Sequence, residues 1–385
     1  MDAYDVIVLG AGGVGSAAMF HLARRGARVL GIDFQRPPHS LGSSHGHTRV
    51  IRQAYFEHPD YVPLLRESYR LWHELEASTR RRLFYQIGLV EIGPADGVVV
   101  PGVLRAAAAH QLAVEPLAAK EVERRWPGLR ADDSLTGVYE PTAGYLLVEK
   151  CVEAHLEAAA AAGAELQVDT EIQEWRNEGN SLRVRTNRGE YVASALVIAA
   201  GAWAARLWTG HSSDQSEPVG PTIQLTVRRN PMYWFRAEPA EYEAASGMPV
   251  FLFELPQRIF YGFPKLDERG VKVAEHTGGS VVEHPQWVDR SPNAEEQSRL
   301  MQFLSRHLPG VSKEVTAHEV CLYTMSPDEH FIVDRHPAHS NVVFAAGLSG
   351  HGFKFTPVLG QALADLVLDG GTDLPIEFLS LARFH

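Results

Sequence analysis

The chain has 385 residues, 45% of them hydrophobic, so it is longer than one ordinary domain and can bury full cores. A formal net charge of −11 with no basic block argues against a duplex nucleic-acid partner or an anionic membrane surface. Cys151 and Cys321 are the only cysteines, too few for a disulfide scaffold and without metal-ligand spacing.

The uncharged run at residues 6–20 follows Asp2 and Asp5, where a signal peptide needs Lys or Arg, and it is short of the roughly 20 residues that cross a bilayer. The expectation is a soluble cytoplasmic protein. The same run carries the most informative pattern. An apolar strand, Tyr4-Asp-Val-Ile-Val-Leu9, leads into Gly10-x-Gly12-Gly13-x-Gly15 and then an Ala-rich helix. Gly10 permits the tight turn, Gly12 lets backbone approach a pyrophosphate, and Gly15 lets helix pack on strand. A second strand at 28–33 ends in Asp33, 23 residues after Gly10 and close to the roughly 20-residue offset of a ribose-binding acid. Its carboxylate disfavours a 2′-phosphate. Gly10, Gly12, Gly13, Gly15 and Asp33 are therefore expected cofactor contacts, with NAD and FAD both open at this point.

The next segment, Gly42-Ser-Ser-His-Gly-His-Thr-Arg-Val-Ile-Arg-Gln-Ala-Tyr55, sets Ser43, Ser44, His45, His47, Arg49 and Arg52 among small residues. Such a loop can lie against a cofactor ring. If it is helical, Arg49 and Arg52 share a face, one to abut the ring and one to grip a carboxylate; the plainer alternative is two solvated arginines. His45 and His47 lack a third metal ligand at suitable spacing, so no metal is expected.

Further along, a helix is expected at 148–162, then strands at 165–168, 171–175, 182–186 and 195–200, the last running into Gly201 and Trp203 beside the nucleotide. A comparable strand and turn recur at 342–347. The stretches at 86–140 and 220–318 hold β-rich runs such as 249–255 and 258–263. No repeat or low-complexity linker divides the chain, so the second domain is expected to be interwoven. The expected division is a dinucleotide-binding domain of residues 1–85, 141–219 and 319–385, and a substrate domain of residues 86–140 and 220–318. The fold class is α/β, a Rossmann-like domain with a second domain on a mixed sheet.

Three later patterns complete the candidates. Lys272 and His276 alternate with apolar residues and share a strand face. Cys321 and Tyr323 do the same, where an inert buried thiol is the ordinary reading. Glycines 347, 350 and 352, with Phe353 and Lys354, precede a helix at 356–368 with Thr356 as N-cap and Gly370-Gly371 as stop. Helix amides and a lysine there suit a group that acquires negative charge.

Taken together, the fingerprint, Gly42-Ser-Ser-His-Gly-x-Thr-Arg-x-Ile-Arg52, Phe260-Tyr-Gly-Phe-Pro264, Cys321-x-Tyr323 with Pro327-Asp-Glu-His-Phe-Ile-Val-Asp334, and Gly350-His-Gly-Phe-Lys-Phe355 resemble the monomeric sarcosine oxidase and N-methyltryptophan oxidase family. The resemblance covers nearly the whole chain. It implies FAD, joined through a thioether to the cysteine matching Cys321. It implies a substrate carboxylate held between Arg52 and Lys354, with Tyr261, Tyr323 and His276 lining the cavity. Arg49 matches an arginine packed against the flavin, and Lys272 a lysine that promotes reaction with oxygen. His45 is counted with the catalytic group.

The implied activity is oxidative demethylation of an N-methyl amino acid to the amino acid, formaldehyde and hydrogen peroxide, by a monomer with oxygen as co-substrate. The alternatives are a related secondary amine or cyclic imino acid as substrate, or a flavin dehydrogenase with a different acceptor. Departures lie at His47, where relatives carry Asp, at Gln53, where they carry His, and at Tyr55-Phe-Glu-His58, which replaces Tyr-Gly-Glu-Gly. The bulk at Phe56 and His58 implies a stiffer gate and leaves the preferred N-methyl amino acid open.

Overall fold

The computed structural model describes residues 3–208, 211–212 and 223–384. The apolar run after Asp5 forms the strand Tyr4–Leu9, with its last four residues buried. It is the centre of five parallel strands, in the order Glu165–Gln167, Val29–Ile32, Tyr4–Leu9, Gly189–Ile198 and His339–Ala346. Burial on both faces explains why Tyr4–Leu9, Val29–Ile32 and the last residues of Gly189–Ile198 read as apolar runs, whereas the edge strand Glu165–Gln167 does not. On one face Val6, Val8 and Val197 pack against Ala18 and Leu22 of helix Gly13–Ala23 and Leu359 and Leu363 of helix Thr356–Leu368. On the other, Ile7, Leu9 and Ile198 meet Trp175, Leu182 and Trp208, so the antiparallel strands Ile172–Asn177 and Leu182–Thr186 close that side.

A second, mixed sheet runs Ser280–Val281, Thr226–Ala237, Val271–Glu275, Arg258–Phe263, Val250–Leu255, Leu89–Pro94, Leu135–Glu140, Glu115–Ala118, with Val311–Met325 paired along Thr226–Ala237. One face is closed by helix Ala294–His307, whose Phe303 stacks 4.6 Å from Phe260. The opposite face carries Leu252, Tyr261, Ala274, Cys321 and Tyr323 and turns toward the small sheet of Thr48–Ile51, Gly144–Leu147 and Phe84–Gln86.

The two large sheets draw on alternating stretches of the chain. Strand Val311–Met325 spans the boundary expected at residue 319 and pairs with the second sheet along its length, which sets Cys321 and Tyr323 on that sheet's face. The boundary expected at 219/220 lies outside the described residues. Among the described residues no helix is long and apolar enough to cross a membrane.

Two local expectations are corrected. Arg49 lies in the strand Thr48–Ile51 and Arg52 just after it, because a β-branched Thr-Arg-Val-Ile run pairs with Gly144–Leu147 in place of coiling into a helix. Three residues apart on extended chain, the two arginines point to opposite sides. Thr356 is the first residue of its helix and not its N-cap, since a 3-10 turn at Phe353–Phe355 winds directly into it.

Candidate active site

A groove, partly open to solvent, runs from the glycine fingerprint to the face of the second sheet. At its nucleotide end Gly10 has φ +87, and a Cβ there would meet the Ala199 carbonyl oxygen at 2.8 Å. Gly15 is needed more strictly: its Cβ would fall 1.8 Å from the Gly10 oxygen, so this glycine lets the helix sit on the strand. The Asp33 carboxylate accepts the Ala11 amide (2.8 Å), pinning the turn, and lines the groove with Gly10, Gly12 and Gly13. Ser44 Oγ accepts the Gly13 amide (3.1 Å), while Ser43 donates to the Leu322 carbonyl (2.5 Å); the loop after the second strand is thereby tied to both ends of the site.

Three features of the groove fit a dinucleotide. A Cβ on Gly12 would meet only Ser44 Oγ, at 3.6 Å, so the room beside this helix N-terminus is left open by the protein. Trp203 Nε1, Thr324 Oγ1 and Thr356 Oγ1 all line the groove, are buried, and have no hydrogen-bond partner among the described residues. Gly201, Gly350, Gly352 and Phe353 complete the wall, and a Cβ on Gly350 would strike the Tyr323 ring at 2.3 Å. Thr324 was not singled out from the sequence; it differs from an ordinary strand threonine only through the groove.

At the other end Arg49, Cys321 and Tyr323 line the groove, and Lys272, His276, Tyr261, Arg52 and Lys354 lie outside its wall. Cys321 Sγ lies 3.2 Å from Arg49 Nη2, and that arginine also donates to the Ser43 carbonyl (3.0 Å). Lys272 Nζ is buried, with the Gly46 carbonyl at 2.7 Å, the Thr48 carbonyl at 2.9 Å and Thr48 Oγ1 at 3.2 Å. Burial, and then the Arg49 charge, push its pKa well below the ordinary lysine value. Three acceptors match the three N–H bonds of the ammonium, which opposes that push. His45 Nδ1 pairs with Glu319 (2.9 Å), and its Nε2 is buried without a hydrogen-bond partner among the described residues; it is not part of the groove wall.

Tyr323 and Tyr261 flank the His276 ring at 5.7 and 6.2 Å. Burial lowers the His276 pKa to about 4, and its next influences are Glu57, Lys354 and Arg52. Those groups form a compact charged cluster beyond it. Arg52 is buried, bonded through Nη2 to both Glu57 oxygens (2.8 and 2.7 Å) and through Nη1 to the Ala54 carbonyl, and sandwiched between the rings of Tyr55 (4.2 Å) and Phe56 (4.4 Å). The solvated alternative is excluded for it. Lys354 Nζ donates to the His351 carbonyl (2.7 Å) and to Tyr55 Oη (3.3 Å), and burial brings its pKa down to about 7. Arg52, despite its own burial, stays charged because Glu57 and Glu91 hold its pKa up; Glu57 is drawn down to about 2 chiefly by Arg52, against the penalty of burial.

Glu57, Tyr55 and His351 were not predicted as site residues. Glu57 had a legible signal, an acid within the short gate segment that follows Arg52. His47 stands apart from the groove: it has φ +70, its Nδ1 faces Arg269 at 2.8 Å, and the Glu149 carboxylate holds its amide.

Residues 5–366 match the model of the family described as FAD dependent oxidoreductase. Monomeric sarcosine oxidase of Streptomyces avermitilis is 42% identical over 388 residues, 99% of this chain and 97% of its own. N-methyl-L-tryptophan oxidase of Yersinia pestis is 36% identical over 386 residues, 99% of this chain and 100% of its own. Among solved structures, NikD, an unusual amino acid oxidase essential for nikkomycin biosynthesis, is similar with a TM-score of 0.85 and 26% identity, covering 99% and 98% of the two chains. The chain belongs to the FAD-dependent oxidoreductase family that includes monomeric sarcosine oxidase and N-methyl-L-tryptophan oxidase.

Proposed function

We propose that the chain is a monomeric cytoplasmic oxidase that demethylates an N-methyl amino acid, with residues 1–85, 141–219 and 319–385 serving FAD and residues 86–140 and 220–318 serving substrate. The overall change is balanced: substrate, oxygen and water give the amino acid, formaldehyde and hydrogen peroxide. FAD, when bound, supplies the two-electron acceptor that the side chains lack.

The observation that carries the reading is one continuous run of groups. The groove leads from the fingerprint to Cys321, Arg49 and Tyr323, and His276 then stands between them and the cations of Arg52 and Lys354. Gly10, Gly12, Gly13, Gly15, Asp33, Ser43, Ser44, Gly201, Trp203, Gly350, Gly352 and Phe353 would hold the dinucleotide, and Cys321 would bond it covalently. Arg49 would lie against its ring. Arg52 and Lys354 would take the substrate carboxylate in charge-assisted contacts, and His276, Tyr261 and Tyr323 would bound the space in which the N-methyl group is held. The neutral state favoured for His276 leaves one ring nitrogen free to accept a hydrogen bond, and burial keeps Tyr261 and Tyr323 protonated as donors. Lys272 would face oxygen, with His45 holding the loop beside it through Glu319.

Arg52 is engaged with Glu57 in the structure, so an incoming carboxylate has to displace an internal one. This makes the gate segment part of substrate binding. The reading is tested by supplying a panel of N-methyl amino acids and measuring oxygen uptake, peroxide and formaldehyde together. Equal amounts of all three are expected for the preferred substrate. Substrate oxidation that reduces a dye or quinone with no peroxide would replace oxygen with another acceptor, and the absence of anaerobic bleaching by every member would overturn the activity.

A further inference from the structure

Strand Leu89–Pro94 places a carboxyl on the face of the second sheet that carries the proposed substrate cavity. Glu91 registers with Leu252 on one side and Val138 on the other, and Leu252 registers with Tyr261, so the four side chains stand in one row on one face. Glu91 is 1% exposed, and neither of its oxygens has a hydrogen-bond partner among the described residues. Arg52 Nε lies 3.5 Å from Oε1, an ion contact longer than a good hydrogen bond. The rest of the guanidinium is occupied by Glu57 and the Ala54 carbonyl, so its Nε edge is the one turned to Glu91.

We propose that Glu91 sets the affinity of the site for a substrate's carboxylate by acting through Arg52. Neutral, it leaves the guanidinium able to exchange Glu57 for an incoming anion. Ionised, it becomes a second internal carboxylate that holds Arg52 in place and repels the newcomer. The residue is a positioning group, and the proposal rests on the reading of Arg52 as the substrate's anchor.

The groups that face Glu91 come from four elements: Arg52 from the end of strand Thr48–Ile51, Tyr55 and Glu57 from the gate segment, Glu140 from the neighbouring strand Leu135–Glu140, and Lys354 from the turn Phe353–Phe355. Burial raises the Glu91 pKa to about 8, with Arg52 and Lys354 pulling down and Glu140 and Glu57 pushing up. The change of state therefore falls just above neutrality. Lys354 titrates nearby, at about 7, and its loss of charge also weakens anion binding as pH rises. The two steps belong to a coupled cluster and must be separated by substitution.

The test is calorimetric titration of the FAD-loaded protein with methylthioacetate, which carries a carboxylate and no amine, from about pH 6.5 to about pH 9.5, on the parent, Glu91→Gln, Glu91→Leu and Lys354→Met. In the parent, affinity should fall in two stages, the upper one worth about tenfold, the scale of one lost charge-assisted contact. Both Glu91 variants should keep the lower stage and lose the upper, and Lys354→Met should show the converse. An upper stage that persists unchanged in either Glu91 variant overturns the proposal. If Arg52→Ala binds methylthioacetate as the parent does, the anchor reading itself is wrong, which is a separate outcome.

Discussion

Cys321 sits in an apolar cluster where a thiol is ordinarily inert, yet Arg49 Nη2 is 3.2 Å from its sulfur and it forms part of the groove wall. The sulfur therefore stands at the groove wall, where a cofactor in the groove would meet it. Cys151, by contrast, is buried with its pKa pushed well up and lies away from the groove. Acid precipitation should therefore leave yellow colour in the denatured pellet, and Cys321→Ser should release it; colour in the supernatant of the parent protein would disprove attachment. Lys272 carries the second prediction at this scale. Its ammonium is fixed by two carbonyls and a hydroxyl between the rings of Trp234 and Phe263, so it cannot swing away to solvent. A fixed cation stabilises negative charge as it builds on oxygen, whereas oxidation of substrate builds no such charge. In rapid-mixing experiments Lys272→Met should slow reoxidation by about a hundredfold or more and reduction only modestly. Equal slowing of both half-reactions would assign Lys272 a structural role.

At the scale of elements, the strand–turn–helix unit and the parallel strands were legible because buried strands and a glycine turn leave local signals. The strands at 182–186 and 258–263 were expected with the bounds that the structure gives. The conformation of Thr48–Ile51 was not legible. Arginine spacing of three suits a helix, and only pairing with Gly144–Leu147, nearly a hundred residues away in sequence, decides for a strand. Glu91 was missed for a related reason: one acid in an apolar strand reads as solvent-facing until the sheet supplies both neighbours. The gate segment combines both lessons. Glu140 holds the amides of Gln53 and Ala54, and Phe56 packs so closely on helix Val99–His110 that a Cβ on Gly102 would come within 2.7 Å of its Cβ. His58 stacks on Phe378 at 6.3 Å. A gate so anchored opens less readily than one with glycines at these positions. Phe56→Gly with His58→Gly should speed hydrogen exchange at residues 53–60 by about tenfold or more, as expected when packing contacts that resist local opening are removed. Exchange in this segment as slow as in the parent would show that the stiffness comes from Glu140 alone.

At the scale of the whole molecule, the packed helices and sheets bury several histidines in neutral form. Burial lowers His155 and His351 to about 3 and His276 to about 4, and puts His21 well below the ordinary value. An unfolded histidine titrates near 6.5, so between there and about pH 4 the unfolded chain takes up protons that the folded one refuses. Stability must then fall as pH falls, each such group contributing roughly 1.4 kcal/mol per pH unit within its window. Glu91 works the other way: its folded pKa of about 8 stands above the unfolded value, so its contribution is full below that value and lost as pH rises. Glu140, also raised by burial, shares this sign. The four histidines outweigh the two acids. The melting temperature of the FAD-loaded protein should therefore drop between about pH 6.5 and about pH 5. His155 offers the cleanest check, because its ring packs on Trp72 and Phe20 and it takes no part in the proposed chemistry. In His155→Leu the drop should be shallower, whatever the melting temperature at neutral pH. An identical drop in parent and variant would mean that His155 is not held neutral by the fold.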